Sequence, residues 1–161
     1  MTLMVWWACA HAPREPGPRA FVYRHEEAIA ASPEAVWAAL VDLRAYEAWN
    51  PLVPWASGEV LVGERLPVEV VLDGERRDFA HVVLAVEAGE RFCWRDTGPQ
   101  LLVAYGQRCR VLEVAGDHTV LHQELLVEGP LRGLVDRRYG AQLQAGIEAE
   151  SAALRVRVEG R

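Results

Sequence analysis

The sequence has a series of short segments in which apolar and polar residues alternate, followed by one long helical segment. This order restricts the possible folds of the chain more than any other feature of its sequence. After Pro54 the spacing of the apolar residues changes from about 3.6 to about 2, the spacing typical of strands. From Leu131 to about Val158 the pattern is helical again. Turn signals divide the alternating region into about six strands: Gly63-Glu64, Asp73-Gly74, Ala88-Gly89-Glu90, Gly98-Pro99 and Gly116-Asp117. A meandering sheet has one face to bury, and the long helix is the only element left to cover it.

One strand and two short helices are predicted ahead of this region. The strand covers about Ala20 to Ala31, and Ser32 is expected to cap the first helix, with Pro33 at its first position. A second helix is expected to end near Trp49, because a proline two residues later disfavours helical geometry at the residue before it. The sequence therefore predicts an α+β fold, a curved antiparallel sheet of about six or seven strands around a long C-terminal helix. Such a sheet leaves space for a ligand beneath it.

Composition narrows the classes of function. The 161 residues suit one domain over 20–158, preceded by a proline-rich tail or linker over 1–19. The formal net charge of −6 argues against nucleic acid as a partner. All 17 cationic residues are arginine, which excludes a Schiff-base or P-loop lysine. No apolar stretch reaches about 18 residues, so we expect no integral membrane contact.

Cysteine and histidine spacing gives no sign of a metal or a cofactor. Cys9, Cys93 and Cys109 are odd in number and far apart, so we expect no disulfide framework and a cytoplasmic location. His118 and His122 are four residues apart, but they run from a turn into a strand, where they lie too far apart for one ion. We therefore expect neither a metal site nor a cofactor.

Four segments resemble those of a known superfamily. Residues 32–42 form a Ser-Pro-Glu-Ala-Val-Trp helix start, 46–51 read Tyr-Glu-Ala-Trp-Asn-Pro, 62–64 read Val-Gly-Glu, and 92–95 read Phe-Cys-Trp-Arg. Together they resemble the START/Bet v 1-like superfamily, and most closely its polyketide cyclase/dehydrase and lipid transport branch. The resemblance covers about residues 24–158 and implies a helix-grip fold, with a cavity between the concave sheet and the C-terminal helix. It indicates fold better than reaction.

Side chains facing this cavity follow from strand alternation. On the strand predicted from Leu101 to Val114, Tyr105, Gln107, Cys109 and Val111 are expected to face inward, with Arg108 and Arg110 outward. A slip of one residue would reverse this. On the last strand the expected inward residues are Leu121, Gln123, Leu125 and Val127.

The resemblance also implies a histidine and a glutamate on these strands, and this chain has Gln107, Gln123 and Leu125 in their place. Amides cannot act as a general base near neutral pH. We expect Gln107 and Gln123 either to orient a carbonyl or hydroxyl of a ligand, or only to bond each other or water.

Aromatic residues and one acid complete the predicted site. Glu150 shares a stripe of the last helix with apolar residues, which makes it a candidate general acid or base unless the helix turns it to solvent. The aromatic residues either line the cavity and stack on a ligand or only pack in the core: Trp49, Phe92, Trp94, Tyr105 and Tyr139.

Three functions remain open from the sequence. The first is binding or transport of a small hydrophobic molecule, a lipid or a polyketide-like aromatic, by a monomer or homodimer. The second is a polyketide cyclase or dehydratase with Glu150 as proton shuttle. The third is a protein-interaction module of the chaperone-activator kind, with a filled cavity and an exposed patch involving Trp6 and Trp7.

Overall fold

The structure, a computed structural model, describes residues 11–160. Within this range seven strands form one antiparallel sheet in the order β1-β7-β6-β5-β4-β3-β2. The strands are β1 (Phe21–Ile29), β2 (Trp55–Ala56), β3 (Arg65–Leu72), β4 (Glu75–Glu87), β5 (Arg91–Asp96), β6 (Tyr105–Ala115) and β7 (His118–Glu128). The α-helices are α1 (Pro33–Val41) and the C-terminal helix α2 (Arg132–Glu159), and short 3-10 helices span Leu43–Ala48 and Pro99–Leu102.

The C-terminal helix lies across the concave face of the sheet. Its residues Ile147 and Leu154 are fully buried against the aromatic core of the sheet, which includes Phe92 and Trp94. The predicted α+β helix-grip fold is confirmed. The domain boundaries, 1–19 and 20–158, stay a prediction, and Trp6 and Trp7 lie outside the described residues.

The segment between α1 and the sheet sets one end of the interior. Ser32 caps α1 as predicted, its Oγ accepting a hydrogen bond from the Ala35 N–H at 3.4 Å. Asn50 Oδ1 accepts hydrogen bonds from the backbone of Leu52 and Val53, at 3.1 and 2.8 Å. This turn presses Leu52 against the C-terminal helix at Gly146, where a Cβ would lie only 2.7 Å from Leu52 Cδ1.

Strand β6 differs from its prediction in start and in register. It begins at Tyr105 and not at Leu101, because Gly98 adopts a positive φ of 90° and Pro99 starts a 3-10 helix. On β6, Arg108 and Arg110 point to the interior and Gln107 to the outer face, so the predicted orientation was wrong. The pairing decides this, since Arg110 lies opposite Gln123 of β7 and shares its face.

Tyr105, Gln107, Cys109 and Val111 therefore belong to the outer face of the sheet. There the chain just before β1 lies against Tyr105 and Gln107. The Arg14 N–H donates to Gln107 Oε1 at 2.8 Å, Gln107 Nε2 donates to the Arg14 carbonyl at 2.9 Å, and the Arg14 guanidinium stacks 4.2 Å from the Tyr105 ring centre. The two amides Gln107 and Gln123 are thus on opposite faces and cannot act together.

Cys93 and Cys109 form a disulfide on this outer face. They stand directly opposite each other on β5 and β6, and this bond contradicts the expectation that the cysteines form no disulfide framework. Sequence spacing gave no sign of it because the pairing depends on strand register. Disulfides are rare in a reducing cytoplasm. The cysteines therefore do not support the cytoplasmic location, which stays a prediction.

Candidate functional site

A cavity of about 220 Å³ lies between the sheet and the first half of the C-terminal helix. Most of its wall is apolar and comes from four strands, the helix and the segment after Asn50: Leu52, Val53, Val70, Leu72, Phe79, Trp94, Leu125, Val127, Val135, Tyr139 and Leu143. The polar residues in the wall are His81, Asp96, Gln107 and Arg108. An apolar space with few polar groups is the usual form of a small-molecule site.

Some of the predicted site residues form this wall and others do not. Trp94, Tyr139 and Gln107 line the cavity, although the amide of Gln107 is bonded to Arg14 on the outer face. The cavity wall does not include Trp49, Phe92, Tyr105, Gln123 or Glu150. Their role in ligand binding or catalysis stays a prediction.

Side chains of the β3–β4 turn and the C-terminal helix hold one side of the cavity together. The Asp73 N–H donates to Gln142 Oε1 at 2.8 Å, and Gln142 Nε2 donates to Asp73 Oδ1 at 2.7 Å. Arg138 Nη2 donates to Asp73 Oδ2 at 2.6 Å. Nearby, Arg77 Nη1 donates to the hydroxyl of Tyr139 at 3.4 Å. These bonds fix the helix against the turn and so place the Tyr139 ring.

Behind the cavity lies a buried ionic cluster of Arg108, Arg110 and Glu150. Arg108 Nη1 is 2.9 Å from Glu150 Oε2, and Arg110 Nε is 3.2 Å from Glu150 Oε1. All three side chains are at least 96% buried, since their exposed fractions are 4%, 0% and 0%. Of the two positions that the sequence left open for Glu150, the structure has the interior one, and the partners of the glutamate are the two arginines that were expected outside.

Burial and charge act in opposite directions on this cluster. Burial alone would raise the pKa of the Glu150 carboxyl, but the guanidiniums of Arg108 and Arg110 outweigh it and hold that pKa below its usual value. Burial lowers the pKa of Arg108 to about 10, although the Glu150 carboxylate opposes part of the shift. The cluster pairs two guanidiniums with one carboxylate and so carries an excess of one positive charge.

The excess charge is met by aromatic rings and amides. The Arg110 guanidinium lies 4.3 Å from the centre of the Trp94 ring, and its two Nη atoms have no hydrogen-bond partner among residues 11–160. Gln123 Oε1 accepts from Arg108 Nε at 3.0 Å, and Gln123 Nε2 donates to Ser151 Oγ at 2.8 Å. Gln123 therefore supports the arginines and has no contact with the cavity.

Sequence reasoning missed a histidine–aspartate pair in the cavity wall. His81 on β4 and Asp96 on β5 stand opposite each other, with His81 Nε2 3.1 Å from Asp96 Oδ1. The His81 ring centre lies 4.9 Å from that of Trp94. The residues are 15 positions apart and the β4–β5 pairing contains a bulge between Val83 and Ala85, so no motif reveals them.

Comparison with known proteins agrees with this architecture. The sequence profile of the family described as polyketide cyclase/dehydrase and lipid transport matches residues 20–159. No curated protein sequence matches the chain. Within residues 11–160 no helix combines the length and apolarity that a membrane crossing requires.

Solved structures share the fold at low sequence identity. The START superfamily protein from Mycobacterium smegmatis is 21% identical with a TM-score of 0.65, over 86% of this chain and 97% of that one. The Zhui aromatase/cyclase from Streptomyces sp. R1128 is 14% identical with a TM-score of 0.71, over 88% and 94%. Norcoclaurine synthase from Thalictrum flavum is 14% identical with a TM-score of 0.69, over 92% and 95%.

The family profile spans nearly the whole described chain, and the helix-grip architecture, with its cavity under the C-terminal helix, is present. The chain belongs to the polyketide cyclase/dehydrase and lipid transport family.

Proposed function

We propose that this protein binds a small, mainly apolar molecule in the cavity between its sheet and its C-terminal helix. The observation that carries the proposal is the cavity itself, about 220 Å³ of space with a mostly apolar wall. Burying apolar surface there would contribute about 25 cal/mol for each Å² removed from water. Such a cavity gives affinity without demanding many polar contacts.

The size of the cavity favours a compact ligand. Small-molecule pockets usually measure about 300–1,000 Å³, so a cavity of about 220 Å³ lies below that range. A molecule of one or two rings suits it better than the long chain of a lipid. The Tyr139 ring in the wall offers a flat surface on which an aromatic ligand can stack, and Trp94, which also packs against Arg110, adds apolar contact.

The cationic cluster favours a ligand with an electron-rich polar group. Arg108 belongs both to the cluster and to the cavity wall, so the net positive charge reaches the cavity through its side chain. A carbonyl or hydroxyl oxygen on the ligand would interact favourably with it. The structure of norcoclaurine synthase, which shares the fold, was solved in complex with dopamine and hydroxybenzaldehyde, both of which carry such oxygens.

The other two functions have less support. Glu150 as a proton shuttle stays a prediction, but its carboxylate is paired with two arginines and is absent from the cavity wall. An interaction module of the chaperone-activator kind predicts a cavity filled by the protein's own side chains. The space that this protein leaves under its helix favours binding of a ligand instead.

Titration with 2-methoxynaphthalene, a two-ring apolar probe, tests the proposal. Isothermal titration calorimetry would compare the unmodified protein with Val70→Phe and Val71→Phe. Val70 lines the cavity, whereas Val71 is its neighbour on β3 and points to the other face. Filling the cavity at Val70 should weaken binding by about tenfold or more, and the same substitution at Val71 should leave it nearly unchanged.

Two results would contradict the proposal. One is the absence of measurable binding by the unmodified protein. The other is equal weakening by both substitutions, because that would place the probe elsewhere on the protein.

A further inference from the structure

We propose that His81 accepts a hydrogen bond from a hydroxyl group of the ligand, so that the cavity selects apolar molecules with a phenol- or enol-type hydroxyl. This inference rests on the proposed function and adds the chemical class of the ligand. It is carried by His81 and Asp96, a pair of cavity residues that are not part of the ionic cluster.

The His81 ring has one nitrogen engaged and one free of partners. Its side chain is only 9% exposed, and Nε2 lies 3.1 Å from Asp96 Oδ1. Nδ1 is buried and has no hydrogen-bond partner among residues 11–160. A carboxylate only accepts hydrogen bonds, so in the neutral ring Nε2 carries the proton and donates it to Asp96. The Nδ1 atom is then left with a lone pair and can only accept.

Asp96 is held where it fixes this tautomer. On the neighbouring strand β6 the residue beside it is Gly106, where a Cβ would lie 2.3 Å from Asp96 Oδ2. The missing side chain at Gly106 therefore makes the room that the carboxylate occupies. Asp96 is a positioning residue, because it acts on the ligand only through His81.

The remaining polar groups of the wall are already engaged. Arg108 bonds Glu150 and Gln123, and the Gln107 amide bonds Arg14 on the outer face. A buried acceptor without a partner costs free energy, and a ligand hydroxyl that reaches it recovers that cost. The His81 ring also lies against Trp94, and both line the cavity, so a ligand that contacts the tryptophan would lie near the histidine.

A pair of matched probes tests the inference separately from the proposed function. The probes are 2-naphthol and 2-methoxynaphthalene, which share a ring system; the first has a hydroxyl proton that it can donate, and the second has a methyl group in its place. The ratio of their dissociation constants is measured by calorimetry, and its change between the unmodified protein and a variant isolates the hydroxyl, because the methyl group is common to both measurements. In the unmodified protein we expect 2-naphthol to bind about tenfold more tightly, the worth of one hydrogen bond to a buried acceptor.

Two substitutions locate that preference. His81→Phe keeps a ring against Trp94 but removes the acceptor, and it should bring the ratio close to one while 2-methoxynaphthalene still binds. Gly106→Ala should displace the Asp96 carboxylate and reduce the ratio. The added methyl group affects both probes alike, so a merely structural role for Asp96 would leave the ratio unchanged.

Each result has a distinct meaning. Equal affinity of the two probes for the unmodified protein, or a preference that survives His81→Phe, overturns the inference and leaves the proposed function standing. Failure of both probes to bind overturns the inference and the proposed function together.

Discussion

Arg110 on the sheet and Glu150 on the C-terminal helix form an ion pair, with 3.2 Å between Nε and Oε1, and both side chains are fully buried. Their separation of 40 residues in the chain means that the pair links the two layers of the fold. Arg108 joins the same carboxylate from the cavity side. The cluster therefore has two effects: it joins the helix to the sheet, and it places positive charge beside the cavity.

Replacing Glu150 should destabilise the fold strongly. In Glu150→Gln two buried guanidiniums lose their counter-charge, and breaking a buried pair in this way costs about 3–5 kcal/mol. Urea unfolding followed by circular dichroism measures the change in the free energy of unfolding. The control is Glu148→Gln, an exposed residue on the same helix, where we expect a change within about 0.5 kcal/mol. Similar values for the two variants would show that the cluster is not a stabilising element.

Acid should weaken the folded state through the same carboxyl. The pKa of Glu150 is lower in the folded protein than in the unfolded chain, where it is about 4.3. The contribution to stability is therefore complete above that value and is lost as the pH falls through the lower folded pKa. The difference in unfolding free energy between the unmodified protein and Glu150→Gln should shrink over that acid range. Parallel pH curves for the two proteins would contradict the assigned direction of the pKa shift.

The two tyrosines of the predicted site should behave differently. Tyr139 lines the cavity, whereas Tyr105 stacks under Arg14 on the outer face. Tyr139→Ala should weaken the binding of 2-methoxynaphthalene by about threefold to tenfold, since it removes apolar contact area. Tyr105→Ala should leave affinity unchanged. A loss of affinity in Tyr105→Ala alone would mean that the sequence-based orientation describes the ligand site better than the structure does.

The disulfide between Cys93 and Cys109 closes a loop of 16 residues. A bond across a loop of this length contributes about 3 kcal/mol to stability. Reduction, or Cys93→Ala, should lower the unfolding free energy by about that amount in protein purified under oxidising conditions. Intact mass before and after reduction verifies that the bond is present, because reduction adds two hydrogens. Unfolding curves that coincide with and without reductant would contradict this contribution.

Sequence patterns predicted the arrangement of the elements because it follows from local chemistry. The cap at Ser32 and the alternation on β7 give the helix start and the inward set that includes Gln123. On β6 the predicted alternation differs from the observed one by one residue. Both faces of this strand carry polar and apolar residues, so the pattern does not show which face is inside. The prediction places Arg108 and Arg110 outside, where arginine usually lies.

What escaped prediction depends on contacts between distant parts of the chain. The buried charge of Arg110 is compensated by Glu150 on the last helix and by the Trp94 ring, which packs against its guanidinium. His81 meets Asp96 only once the bulge in β4–β5 has set the pairing. Neither relation follows from residue spacing, and so the polar part of the cavity wall could not be predicted from the sequence.

The central claim is that ligands bind under the C-terminal helix, and mapping a bound probe by NMR tests it most directly. In ¹⁵N–¹H spectra recorded with 2-methoxynaphthalene, the largest shifts should appear at cavity residues such as Phe79, Trp94 and Leu125. Signals from Cys109 and Val111 on the outer face should move little. Shifts confined to that outer face would contradict the account.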